Sequence, residues 1–159
     1  QVCELGVLAV LGLLLKRLGF KRTLLIGAAA YMLRCLVFSM VFSIDPSFAS
    51  KLALAGIGQS LHGFCFGCFL AVGYMYVDRI APPDVRGSMQ TVYGGSIVPL
   101  GFFVGGIVGG QVGSLFTTGT GEQMVRNWSG IWFSCALLCA VCVVVLWVFF
   151  PSRRAEERL

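Results

Sequence analysis

A few polar and ionisable residues interrupt otherwise apolar runs: Gln1, Glu4, Arg34, Gln59 and His62, with Gln90 and Gln111 near a helix end. Such groups are expensive inside a bilayer, so each is a functional candidate by default. Gln1 and Glu4 are three residues apart, one helical turn, and point the same way. A lone carboxylate in a low-dielectric site holds a proton more readily than one in water. Proton-coupled carriage needs that property; a carboxylate paired or neutralised at a wet helix end is the competing reading of Glu4. Arg34 suits a structural or gating ion pair, a cavity lining, or a snorkelled position. His62 stands one turn before Phe66, and together they make a small aromatic and polar wall; an interior hydrogen-bonded histidine is the plainer alternative. Cys65 and Cys68 form a C-x-x-C with His62 three residues earlier. A soft metal is conceivable there, but no second C-x-x-C completes a ligand set, so packing is the preferred role and no metal is expected. The seven cysteines all fall in apolar runs, which argues against a disulfide framework. No G-x-S-x-G, H-E-x-x-H or paired carboxylates occur, so an enzyme is not expected.

The elements that hold these residues are read from composition. Of 159 residues 57% are hydrophobic and 12% charged, half the charge of a typical soluble domain. That excludes a disordered chain, a coiled coil and an ordinary cytosolic enzyme; the matching solvent is a bilayer. Spanning its core takes about 20 apolar residues as a helix. Five stretches meet or approach that: 1–15, 23–43, 52–77, 87–116 and 131–150, followed by a tail over 151–159. The connections carry Gly19, Asp45-Pro46, Pro82-Pro83-Asp84 and Gly119-Thr120-Gly121. The reading is an all-α, polytopic membrane helix bundle of five transmembrane helices. Strand alternation is absent, which disfavours a β-barrel. The basic residues after the first run are placed wrongly for a secretory signal. Residue 1 is Gln, so the chain is expected to be part of a longer protein.

Charge placement gives an orientation. Lys16, Arg17, Lys21, Arg22, Arg79, Arg86, Arg153, Arg154 and Arg158 fall on one side, against Lys51 and Arg126 on the other. The positive-inside rule puts the first group, with the tail, in the cytoplasm. Topology and anionic lipid account for the net charge of +5 without a nucleic-acid partner. Gly101, Gly105, Gly109 and Gly113 recur every four residues beside Gly106 and Gly110, a spacing that lets helices approach closely in lipid. Pro99 in the same span is expected to kink it.

Two loops carry a resemblance. Gly12-Leu-Leu-Leu-Lys16-Arg17-Leu18-Gly19-Phe20-Lys21-Arg22 resembles the G-x-x-x-D-R/K-x-G-R-K/R signature of the major facilitator superfamily, with Lys16 at the acidic position. The stretch Asp78 to Gln90, with Arg86-Gly87-Ser88, looks like the loop before that superfamily's eleventh helix. The resemblance implies that the five spans are helices 8–12 of twelve in a C-terminal half, with helices 1–7 preceding, and that Arg34, Gly12, Gly19, Lys21, Arg22, Arg86 and Gly87 serve structure or gating. Within the superfamily, Gln1-Val2-Cys3-Glu4, Leu33-Arg34, His62-Gly63-Phe64-Cys65-Phe66 and Arg86-x-Ser88-x-Gln90 are most similar to the nucleoside:proton symporter family. That implies substrate binding by Gln1, Glu4, His62 and Phe66, proton coupling at Glu4 and no cofactor beyond the coupling proton; the short loops suggest a multi-pass protein of a bacterial inner membrane, and the charge placement a cytoplasmic C-terminus. The family's usual Tyr is His62 here. The alternatives are a facilitator for a sugar or aromatic acid, and a non-transporting membrane interaction protein that dimerises through the glycine face.

Overall fold

The computed structural model describes residues 2–43, 47–119 and 124–151. Gln1, Asp45-Pro46, Thr120-Gly121 and residues 152–159, with Arg153, Arg154 and Arg158, lie outside the described residues. Four helices are long and apolar enough to cross a membrane: α1 (Val2–Ser43), α2 (Phe48–Ile80), α3 (Arg86–Leu115) and α4 (Trp128–Phe149).

The expected polar connection over 16–22 is the main correction. Helix α1 runs through it, and the non-helical backbone inside is Gly19, at φ 74° and ψ 174°. Only glycine occupies that region readily. Thr23 Oγ1 donates to the Gly19 carbonyl at 2.8 Å, so the break leaves no orphan acceptor there. A straight helix would separate Glu4 from Arg34 by about 45 Å, at 1.5 Å per residue. Both instead reach the ring of His62. Gly19 therefore folds α1 back into a hairpin of two antiparallel arms. The basic cluster Lys16, Arg17, Lys21 and Arg22 rides on helical turns at the bend.

Helix α2 lies against both arms. Gly63 faces the backbone of Cys3 and Glu4, Gly67 faces Val7, and Gly27 of the second arm faces the backbone of Cys68 and Phe69. A methyl group at Gly27 would stand 2.5 Å from the Phe69 nitrogen, so these helices cross at a separation only glycine permits. The core follows the same seam: Val7, Leu11, Leu15, Phe20, Leu24, Cys68 and Val72 form one buried cluster. Two stretches of α2 and α3 are π-helical, Cys65–Ala71 and Tyr93–Ile97. The second sits directly before Pro99, where the missing N–H and the ring's clash with the preceding turn must be absorbed. The irregularity next to Pro99, which was expected to kink this span, is that widened turn.

Helix α4 starts at the Asn127 cap, whose Oδ1 accepts from the Gly130 N–H at 3.0 Å. It packs antiparallel on the second arm through Ser39 Oγ donating to the Ser129 carbonyl at 3.0 Å, and through Phe38 against Trp132. Pro151 ends it, with Phe150 already extended. Before it, the expected loop holds a small ribbon, Thr117–Thr118 (β1) paired antiparallel with Val125–Arg126 (β2). Helix α3 is the outlier. None of its residues is buried, and nothing lies within 4 Å of where a side chain would grow from Gly101, Gly105, Gly109 or Gly113. Among the described residues nothing packs on these four glycines; close contacts are made instead at Gly27, Gly63 and Gly67 between α1 and α2, and at Gly73 and Gly94, which face Tyr93 and Tyr74 where α2 meets α3.

Candidate functional site

The fold-back of α1 brings four of the intramembrane polar residues into one chain. Glu4 Oε1 on the first arm lies 3.2 Å from His62 Nε2 on α2. On the other side of the imidazole, Arg34 Nη1 from the second arm lies 3.0 Å from Nδ1. Arg34 Nη2 donates to Gln59 Oε1 at 3.1 Å. The guanidinium also lies over the Phe38 ring, 5.4 Å from its centroid. Three helical segments are thus tied by one carboxylate, one imidazole, one guanidinium and one amide in an otherwise apolar body. The carboxylate and guanidinium balance each other's charge across the ring, which lowers the cost of holding either in low dielectric. The Glu4 and His62 side chains keep 23% and 35% exposure, enough for a ligand to reach them.

Of the candidate site residues, Glu4 and His62 are brought together, and Arg34 joins them as a direct partner of the histidine. Gln59 is the addition: it lies three residues before His62, the helical spacing that puts two side chains on one face. Phe66 is 36% exposed, one residue into the π-helical stretch. The expected partner Gln1 lies outside the described residues. Cys65 and Cys68 are fully buried, Cys68 in the core cluster.

The two loop motifs meet at the far end of the bundle. Gly12 and Lys16 share a cleft with Asp78, Arg79 and Gln90. Gln90 Nε2 donates to the Tyr74 carbonyl at 2.9 Å, and Tyr74 meets Tyr93 edge-on, so α3 is held to α2 there. Arg86 Nε lies 3.7 Å from Asp78 Oδ1 across the turn that carries Pro82 and Pro83. Nothing lies within 4 Å of where side chains would grow from Gly12 and Gly87. Among the described residues, Lys21 and Arg22 form no ion pair.

A sequence family described as nucleoside H+ symporter matches residues 1–155. The chain belongs to this family. Among other members, the chain is similar to YegT of Escherichia coli (strain K12), a protein assigned by name to nucleoside transport, with 30% identity over 98% of this chain and 36% of YegT. The xanthosine permease of the same organism is 24% identical over all of this chain and 36% of its own length. The crystal structure of the nucleoside transporter NupG (D323A mutant) shares the fold, with a TM-score of 0.80 and 23% identity over 94% of this chain and 35% of that one. The symporter-family chain therefore spans about a third of the length of the relatives it matches.

Proposed function

We propose that the protein containing this chain is a proton-coupled nucleoside importer that works by alternating access. The observation that carries this reading is the polar chain Glu4–His62–Arg34–Gln59, held inside an apolar bundle in a member of the nucleoside H+ symporter family. In the proposed arrangement the two arms of α1 are separate spans. Five spans then form helices 8–12 of a twelve-helix facilitator fold, with helices 1–7 supplied by the preceding part of the protein. Carriers of this kind bind substrate near the bilayer midplane between two halves and rock around it. Glu4 takes up the coupling proton and, with Gln1, hydrogen-bonds the hydroxyls or base edge of a nucleoside. His62 and Phe66 supply flat faces. The basic residues at the α1 bend and around Arg79 and Arg86 face the cytoplasm together with the tail, and the membrane is a bacterial inner membrane.

The test is uptake of radiolabelled uridine or adenosine by cells or vesicles carrying the full-length protein, with an inward proton gradient. Gradient-dependent accumulation, blocked by unlabelled nucleosides, is the expected result. No uptake above background with the protein present in the membrane refutes the reading. Uptake of a sugar or aromatic acid that nucleosides fail to compete would move the substrate class elsewhere.

A further inference from the structure

We infer that Arg34 is a positioning residue: it fixes the tautomer of His62 so that Nε2–H points at Glu4 and both ring nitrogens are taken out of ligand recognition. The inference rests on reading Glu4 and His62 as site residues. Arginine carries five N–H donors and has no acceptor. With Arg34 Nη1 at 3.0 Å from Nδ1, that nitrogen must offer its lone pair. A neutral imidazole then carries its single proton on Nε2. Nε2 lies 3.2 Å from Glu4 Oε1, and a carboxylate accepts. Donor and acceptor roles therefore run in one direction, from Arg34 through His62 to Glu4. The opposite tautomer would set Nδ1–H against Nη1–H and leave Nε2 and Glu4 as two facing acceptors. Gln59 and Phe38 hold the guanidinium from two other directions, so it is itself positioned.

A consequence for the ligand follows. An imidazole with both nitrogens engaged has only its faces and C–H edges left, so His62 acts as a stacking platform for a flat ring. Hydrogen bonding to the ligand passes to Glu4, whose carboxylate has further lone pairs to offer.

The experiment uses the full-length protein in lipid vesicles with ¹⁵N-labelled histidine. His62 is the one histidine of this chain, and His62→Gln assigns its signals. A single population with protonated Nε2 and unprotonated Nδ1 is expected, kept in Arg34→Lys and replaced by a mixture of tautomers in Arg34→Met. A wild-type signal protonated at Nδ1, or a wild-type mixture, overturns the inference, and this needs no variant to fold. An unmixed Nε2–H signal in folded Arg34→Met also overturns it. In uptake assays, His62→Gln keeps one acceptor and one donor but loses the ring. It is expected to raise the nucleoside KM about tenfold, the order of a lost stacking face, while proton-driven accumulation persists. An unchanged KM overturns the stacking role. Because the tautomer is read without transport, a protein that imports no nucleoside refutes the proposed function and leaves this measurement to stand or fall alone.

Discussion

Adding one methyl group at Gly63 is expected to pull the site apart. A Cβ at this position would stand 2.7 Å from the carbonyl carbon and oxygen of Cys3 and 2.9 Å from the Glu4 nitrogen. Ordinary contact begins at 3.4 Å, so about 0.7 Å of separation is missing. The obstructing atoms are backbone, which has no rotamer to escape through, so the first arm must move as a whole. The Glu4–His62 contact is 3.2 Å. Adding about 0.7 Å along that line gives about 3.9 Å, beyond hydrogen-bond range. Overpacking of this kind costs about 1–3 kcal/mol, against a gain of up to about 1 kcal/mol from replacing helical Gly by Ala. The net expectation for Gly63→Ala is a loss of about 0–2 kcal/mol by that difference, together with a loss of proton-driven uptake. Gly56→Ala, on the same helix with nothing within 4 Å, is the matched control and is expected to be neutral or mildly stabilising. Thermal unfolding of the full-length protein in detergent and uptake in vesicles measure the two effects. A Gly63→Ala protein as stable and as active as Gly56→Ala would refute the reasoning.

One proton per substrate moving down a one-unit pH gradient supplies about 1.4 kcal/mol, a tenfold accumulation; Glu4→Gln is expected to bring the inside-to-outside nucleoside ratio to about one, and an unchanged ratio removes Glu4 from coupling. Gly19→Ala forces a side chain into a backbone region that costs about 1–3 kcal/mol; a lower unfolding temperature is expected, and an unchanged one would show that the bend does not need its observed dihedrals. Spin labels replacing Leu5 and Leu33, both exposed neighbours of the site residues Glu4 and Arg34, should report a single distance that stays fixed when nucleoside and a proton gradient are applied. A second population appearing with substrate would show that the two arms part during the cycle.

The membrane character, the later span positions and most of the polar chain were legible in the sequence. The spans expected at 52–77, 87–116 and 131–150 lie within or nearly match α2, α3 and α4, because long apolar runs leave few alternatives to a helix and Pro82, Pro83 and Pro151 mark their ends. The break at Gly19 was read in its place, but as a polar loop over 16–22 rather than a turn inside a helix. Lys16 to Arg22 are good helix formers apart from that glycine, so local propensity keeps the helix intact on both sides and one residue alone makes the turn. Glu4, His62 and Arg34 stood out because charge in an apolar run is costly wherever it lies. Their mutual distances did not, since a contact between residues 4, 34 and 62 depends on where three helices cross. The glycine spacing showed a face but not its partner: small residues every four positions on α3 meet nothing among the described residues, while Gly27, Gly63 and Gly67, which set the crossings of α1 and α2, form no regular ladder along the chain.

Gly27, Gly63 and Gly67 bear on how the proposed coupling would work. Gly27 and Gly63 leave out a side chain where two backbones meet, Gly67 leaves room for the Val7 side chain, and together they fasten both arms of α1 to α2 along the seam beside the polar chain. Glu4, His62, Arg34 and Gln59 therefore belong to one packed body. A rocking carrier moves such bodies against each other while preserving their interiors, so under the proposed mechanism the distances within the polar chain change little between inward- and outward-open states. Protonation of Glu4 then acts across the body's open face, on the substrate and on the opposing half, by changing the charge that must be buried when the two halves close. An unprotonated Glu4 balanced only by Arg34 at the far side of an imidazole leaves a carboxylate facing that closure. A protonated one removes the charge and keeps an acceptor for the His62 Nε2–H, so the fixed tautomer survives the change. Under the proposed function the internal geometry stays put while the cost of occlusion falls, and that difference would couple the proton to movement.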